Sequence, residues 1–213
     1  MKYMEAYFSQ IETMSSRINK NSSAAKGACH NFSLHWLRLV LSDSREFPRD
    51  RLTKIKGKAG GANPLLQYVY NLRFSPEELT QSDQMILRLR GLKSLDPILG
   101  YSTYFLQSLL SNLAWIKGAF IYSFWFDPPN KIPGTESEGH SIAFYRTSVG
   151  IEGFIFVYDP NYGEFHVLPE DFVKFWPGLM ANYGSLYAHL LRQIEIDGED
   201  YVDGKPSTSS RVV

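Results

Sequence analysis

Apolar side chains recur with helical spacing through the first half of the chain. From residue 2 to residue 19 they fall on one side of a helical projection, which predicts a helix docked on the core. The segment 42–63 is polar and contains several glycines, and it predicts a surface loop. The same periodicity, with start signals such as Ser75 followed by Pro76, predicts further helices at residues 32–41, 64–72, from 75 onward, and 102–117.

The second half changes to short apolar and aromatic runs separated by turn residues, the pattern of β-strands. Such runs occur at residues 119–126, 139–145, 153–158 and 164–168. Pro169 opens a short helix, and residues 186–196 form a closing apolar element of undetermined type. The order predicts the α+β class, with N-terminal helices packed on a C-terminal antiparallel sheet. We expect one domain from residue 1 to 196 and a disordered tail from 197 to 213.

Composition and charge exclude several classes of protein. Of 213 residues 44% are hydrophobic, and 22 basic side chains balance 22 acidic ones. No net field therefore attracts nucleic acid or an anionic membrane, and no apolar run reaches the ~18 residues of a membrane span. The basic stretch 49–58 is interpreted as a solvated face rather than a phosphate-binding patch.

The chain has a single cysteine, Cys29, which excludes an intramolecular disulfide and a multi-cysteine metal site. A lone thiol is typical of a protein in a reducing cytosol. The first residues lack the basic-then-apolar order of a cleaved secretory signal. We expect a cytoplasmic protein in the producing cell, with export by a route that uses no cleaved signal.

Candidate chemistry begins with His140 and Asp159. His140 lies at the start of one predicted strand, and Asp159 follows the next. If they face each other directly across an antiparallel pair, the turn centres between Val149 and Gly150, where a glycine is favoured. The imidazole and the carboxylate would then be the base and the orienting group of a nucleophilic triad. The alternative is structural, because a histidine at a strand start is commonly solvated and an Asp–Pro sequence commonly opens a turn.

Cys29 is placed to complete such a triad, because a glycine-containing loop enters an apolar helix at this residue. The unpaired N–H groups of a first helical turn favour a thiolate, and the Cys29 amide could face a developing oxyanion. The alternative is a small buried hydrophobe, as many free cysteines are. No G-x-S-x-G, H-E-x-x-H or glycine-rich phosphate loop occurs, and His30 and His35 do not share a helical face, so we expect no metal and no cofactor.

Together these motifs resemble the YopT/AvrPphB family of bacterial effector cysteine proteases. The resemblance lies in Gly-Ala-Cys at 27–29, Gly-His-Ser-Ile-Ala at 139–143 and Tyr-Asp-Pro-Asn-Tyr-Gly-Glu-Phe at 158–165. It implies a papain-like catalytic domain with Cys29 as nucleophile, His140 as base and Asp159 as orienting group.

Papain-like enzymes usually carry an amide side chain a few residues before the cysteine, where it donates to the oxyanion. In this chain that interval holds serines and alanines, and Asn21 lies eight residues before Cys29. Asn21 is therefore the candidate for this role, together with the backbone amide of Cys29.

The predicted function is that of a thiol protease that cleaves an amide bond and acts as a secreted bacterial effector or toxin in a target cell. The expected partners are a substrate, either a host protein or a peptidoglycan peptide, and an immunity protein or chaperone. We expect no binding to nucleic acid. One alternative is a cell-wall peptidase or amidase delivered into competing bacteria. The other is a catalytically inert binding module with the same fold.

Overall fold

The computed structural model describes residues 3–15, 28–57, 84, 86–95, 98–100, 117–134, 138–148, 153–197, 201–202 and 205–206. The helices predicted at 64–72 and 102–117, the helix start at 75–76 and the turn at 149–150 lie outside the described residues.

Among the described residues, eight strands form one antiparallel sheet at the centre of the fold. In chain order they are β1 Met4–Tyr7, β2 Leu92–Ser94, β3 Ile98–Gly100, β4 Gly118–Asp127, β5 Glu138–Arg146, β6 Ile155–Asp159, β7 Gly163–Val167 and β8 Ser185–Ile196. The strands are hydrogen-bonded in the order β1–β7–β6–β5–β4–β8–β2, and β3 also pairs with β8. The strands predicted at 119–126, 139–145 and 164–168 are confirmed, and the closing element at 186–196 is a strand.

Helices cover both faces of this sheet. In the part of the chain that the structure describes, they include α1 Gln10–Ser15, α2 Cys29–Ser42, α3 Pro48–Lys56 and α4 Pro169–Met180. Trp36 of α2 and Ile55 of α3 belong to the hydrophobic core on one face. Phe172 and Trp176 of α4 belong to the core on the other face. The predicted α+β class is confirmed.

The interior strand β4 shows why this part of the sequence is apolar at nearly every position. Ile121 and Trp125 contribute to the core under α2, whereas Tyr122 and Phe124 contribute to the core under α4. Successive side chains of a strand point to opposite faces. A strand covered on both faces therefore carries apolar residues at most positions, and Ser123 is its buried, hydrogen-bonded polar exception.

The prediction of a helix from residue 2 to residue 19 is wrong at its start. Residues 4–7 form the edge strand β1, which pairs with β7, and helix α1 begins only at Gln10. Ile11, assigned to the buried side, is 65% exposed, whereas Phe8 is buried. Aromatic residues suit a strand as well as a helix, and the open edge of β7 decides between them because it pairs the backbone groups of the segment.

The prediction of a loop over residues 42–63 is wrong where α3 lies. Pro48 begins the helix, and Arg51, Leu52 and Ile55 are buried. The apolar periodicity of this helix is incomplete in the sequence, because one position on its buried face is the charged residue Arg51. Arg51 pairs there with Glu164 of β7. The basic stretch 49–58 is accordingly not a uniformly solvated face.

The strands β5 and β6 pair as predicted, but two residues out of the predicted register. Ala143 pairs with Tyr158, so Ile142 rather than His140 is the position opposite Asp159. A shift by two residues leaves side chains on the same face of the sheet, because their direction alternates with a period of two. His140 and Asp159 therefore still share one face.

Two further short strands, β9 Tyr201–Val202 and β10 Lys205–Pro206, pair with each other within the segment predicted as a tail. In the described part of the chain, no helix has the length and apolar character needed to cross a membrane.

Candidate active site

Cys29 is the first residue of α2, and α2 packs against β5, the strand that carries His140. Ser33 Oγ donates a hydrogen bond to the Ser141 carbonyl at 2.9 Å, and this buried contact fixes the helix on the strand. Cys29 Sγ lies 4.0 Å from the Gly139 carbonyl oxygen, and Cys29 is partly exposed. The fold thus brings the only thiol of the chain to the start of β5.

His140 and Asp159 form a buried pair beside this thiol. His140 Nε2 lies 3.0 Å from Asp159 Oδ1, and the two residues are 3% and 0% exposed. Asp159 Oδ1 also accepts the backbone N–H of Asn161 at 2.8 Å. The prediction that these side chains lie on neighbouring antiparallel strands within hydrogen-bond reach is confirmed.

The surroundings of His140 favour its charged form. Burial lowers the pKa of His140, but the charge and hydrogen bond of Asp159, with a smaller contribution from Cys29, outweigh burial and raise the pKa to about 10. A cationic imidazole beside a sulfur favours the thiolate. Because Nε2 faces Asp159, Nδ1 is the ring nitrogen that remains for Cys29.

Tyr183 completes this cluster and was not predicted from the sequence. Its hydroxyl donates to Asp159 Oδ2 at 2.6 Å and lies 3.0 Å from His140 Nε2. Its ring stacks on the imidazole, with centroids 4.8 Å apart and an interplanar angle of 26°. No motif or spacing in the sequence pointed to Tyr183, which lies 24 residues after Asp159.

Asn21, the predicted oxyanion donor, lies outside the described residues. Among the described residues, an amide side chain that contacts the backbone at the start of α2 is that of Gln10, which sequence reasoning did not consider. Gln10 Oε1 accepts the backbone N–H of Ala28 at 2.8 Å, and Nε2 donates to Asn161 Oδ1 at 2.6 Å. Gln10 was missed because it precedes Cys29 by far more than the few residues of the papain-like pattern.

No group of three His, Cys, Asp or Glu side chains in the described ranges is placed to hold a metal ion. The chemistry available is that of a thiol beside an imidazole that a carboxylate orients. Such a group can transfer a proton from sulfur to nitrogen and produce a nucleophile.

A helix that begins at a cysteine, packed on an antiparallel sheet that presents a histidine and an aspartate, is the arrangement of the papain-like α+β fold. The chain is similar to the crystal structure of the Pseudomonas avirulence protein AvrPphB, with a TM-score of 0.58 and 16% identity. The match covers 86% of this chain and 100% of that one. At this identity the likeness shows the fold. No family model and no curated protein matches the chain.

Proposed function

We propose that this chain is a papain-like cysteine protease, with Cys29 as nucleophile, His140 as general base and acid, and Asp159 as orienting group. The observation that carries this proposal is the buried His140–Asp159 pair beside the first residue of α2, which is the only cysteine. A histidine with a purely structural role would not need a buried carboxylate on one nitrogen and a thiol beside the other.

In the proposed acylation step, His140 takes the proton of Cys29 and the sulfur attacks the carbonyl carbon of the scissile amide. A C–S bond forms, and the carbonyl electron pair moves to the oxygen, where the Cys29 amide and Asn21 are the candidate donors. The C–N bond then breaks, and the amine leaves with the proton from His140.

In deacylation, His140 takes a proton from water, and the hydroxide attacks the thioester carbon. The C–S bond breaks, releasing the acid and restoring the thiol with the proton held by His140. Throughout both steps Asp159 holds the ring orientation and stabilises the cationic imidazole.

The proposal extends to the biological setting of a secreted bacterial effector that cleaves a protein or peptide in a target cell. The similarity to AvrPphB, described as an avirulence protein, supports this setting. Export without a cleaved signal, a catalytic domain over residues 1–196, and an immunity protein or chaperone as partner belong to the same proposal.

The first test concerns the reactivity of Cys29. Iodoacetamide should alkylate wild type faster than His140→Ala near pH 6, by about tenfold, because the cationic imidazole favours the thiolate. Mass spectrometry reports the modified fraction directly, since the chain has one cysteine. Equal alkylation rates in the two proteins would contradict the pairing and favour an inert binding module.

The second test concerns the substrate. Wild type and Cys29→Ala are incubated with host-cell lysate and with purified peptidoglycan, and the products are identified by mass spectrometry. Peptides released from lysate proteins by wild type alone are expected. If only peptidoglycan yields products, the substrate is a cell-wall peptide and not a host protein. If neither sample yields products, the protease proposal is refuted.

A further inference from the structure

The hydrogen bonds behind the candidate triad have a fixed direction, set by one backbone amide. The N–H of Ala28 can only donate, and it donates to Gln10 Oε1 at 2.8 Å. The Gln10 amide must therefore present its NH2 group to Asn161 Oδ1, at 2.6 Å. Asn161 in turn presents Nδ2 to the Tyr183 hydroxyl, at 3.2 Å.

The same direction continues through Tyr183 to the triad. Because Asn161 donates to the Tyr183 oxygen, the hydroxyl proton goes to Asp159 Oδ2, at 2.6 Å. The Tyr183 oxygen lies 3.0 Å from His140 Nε2, where its second lone pair can accept a hydrogen bond. Burial and the charge of Asp159 raise the pKa of Tyr183 well above its usual value, so this hydroxyl keeps its proton.

The directions of these hydrogen bonds determine which ring nitrogen of His140 carries a hydrogen. Nε2 faces two acceptors, Asp159 Oδ1 and the Tyr183 oxygen, each at 3.0 Å. Nε2 must therefore carry a hydrogen in both charge states of the ring, and the proton exchanged with Cys29 is the one on Nδ1.

Gln10 holds the two halves of the site at once. Its side chain binds the peptide N–H that immediately precedes Cys29, and its own backbone N–H donates to the Pro160 carbonyl at 2.7 Å. Gln10 and Tyr183 are 6% and 3% exposed. Asn161, which links them, is partly buried. A polar network that is largely removed from water is rigid when every member is satisfied.

We propose that Gln10, Asn161 and Tyr183 act together as positioning residues that set the geometry between Cys29 and His140. The chain of hydrogen bonds runs from the peptide before the nucleophile to the carboxylate that orients the base, so loosening any link changes the approach of sulfur to imidazole. This inference rests on the proposed cysteine protease function.

The test compares wild type with Gln10→Met, Tyr183→Phe and the double variant. Two quantities are measured: the rate of Cys29 alkylation by iodoacetamide near pH 6, and the NMR resonance of the His140 Nε2–H. Tyr183→Phe should slow alkylation about tenfold, the effect expected of a hydrogen bond to a charged group, and Gln10→Met should slow it about fivefold, because its hydrogen bonds join neutral groups. The double variant should also lose about tenfold rather than the product of the two losses, because both substitutions break one chain. The Nε2–H resonance should move even in Gln10→Met, although Gln10 makes no hydrogen bond to His140.

The matched control is Tyr122→Phe. Tyr122 lies fully buried on β4, and its hydroxyl has no hydrogen-bond partner within the described residues. Removing that hydroxyl should leave both measurements at their wild-type values. A shift of the His140 resonance in this control equal to that in Tyr183→Phe would overturn the proposal.

Multiplicative losses in the double variant, or a His140 resonance that stays unchanged in Gln10→Met, would also overturn the proposal. If Gln10→Met does not fold, Gln10→Glu replaces it, because it keeps the acceptor for Ala28 and removes the donor to Asn161. If wild-type alkylation does not depend on His140, the protease proposal fails, and the resonance measurement still decides the positioning chain.

Discussion

The charge state of His140 depends on one carboxylate. Asp159 is completely buried and accepts hydrogen bonds from three groups, namely His140 Nε2, the Asn161 backbone N–H and the Tyr183 hydroxyl. These donors satisfy a carboxylate that would otherwise be costly to bury. Burial is the largest influence on the pKa of His140, and it lowers that pKa. The carboxylate of Asp159 acts in the opposite direction and raises it.

This pair predicts how stability changes with pH. His140 has a pKa of about 10 in the folded protein, against about 6.5 in an unfolded chain. The folded state therefore binds the proton more tightly, so the stabilising contribution is complete below about pH 6.5 and is lost as the pH rises through about 10. The free energy of unfolding of wild type should exceed that of Asp159→Asn most strongly near pH 6, and the difference should shrink toward pH 10.

Urea denaturation at several pH values measures this difference. Repeating the comparison in a Cys29→Ala background removes the titration of the thiol and should keep the sign of the trend. A difference that stays constant or grows with pH would contradict the raised pKa of His140.

At the scale of single elements, the first residue of β7, Gly163, determines how closely β1 can pack on β7. Gly163 has φ +123°, a conformation that side-chain-bearing residues rarely adopt. A Cβ at this position would lie 2.1 Å from the Ala6 carbonyl oxygen and 2.9 Å from the Phe8 amide nitrogen. These are backbone atoms of β1 and of the residue that follows it, so this part of the chain has to move if a side chain is added.

Gly163→Ala should accordingly lower the free energy of unfolding by more than about 2 kcal/mol, because strained backbone and a backbone clash act together. The matched control is Gly178→Ala in α4, where a Cβ meets nothing within 4 Å and a helical Gly→Ala change should stabilise by about 0.5–1 kcal/mol. Urea denaturation compares the two variants. Similar free energies in both would show that β1 yields to the added methyl group.

At the scale of the whole molecule, one buried carboxylate joins three distant elements. Glu164 of β7 pairs with Arg51 of α3 and accepts the indole N–H of Trp36 of α2 at 2.7 Å. His166 Nε2 lies 3.0 Å from the same carboxylate. Burial raises the pKa of Glu164, but the hydrogen bond to His166, the charge of Arg51 and the indole hydrogen bond outweigh it, so the net pKa is lowered and the group stays ionised.

Arg51→Met should destabilise the protein by about 3–5 kcal/mol, because it leaves a buried charge without its partner. The double variant Arg51→Met/Glu164→Gln should recover a large part of that loss, since it removes both charges and keeps an acceptor for Trp36. Thermodynamic analysis of both variants by urea denaturation checks this. A loss under about 1 kcal/mol in Arg51→Met, the value typical of exposed pairs, would contradict a structural role for the ion pair.

An element could be predicted from the sequence where the residues that stabilise it follow a pattern within the element itself. The strands β4 and β5 follow from runs rich in apolar and aromatic residues, and β7 follows from the alternation of polar and apolar residues along 164–168. The edge strand β1 and helix α3 could not be predicted in this way. β1 forms because the open edge of β7 pairs with it, and α3 buries an arginine whose partner is 113 residues away in the sequence.

The sequence by itself determined the α+β class and the shared face of His140 and Asp159, because alternation along a hairpin preserves side-chain direction even when the register shifts by two. Only the tertiary structure decided which nitrogen of His140 faces Asp159, and that Gln10 and Tyr183 lie behind the pair. Gln10 and Tyr183 reach the site from α1 and from the loop before β8, and hydrogen bonds between such distant segments leave no spacing or periodicity in the chain.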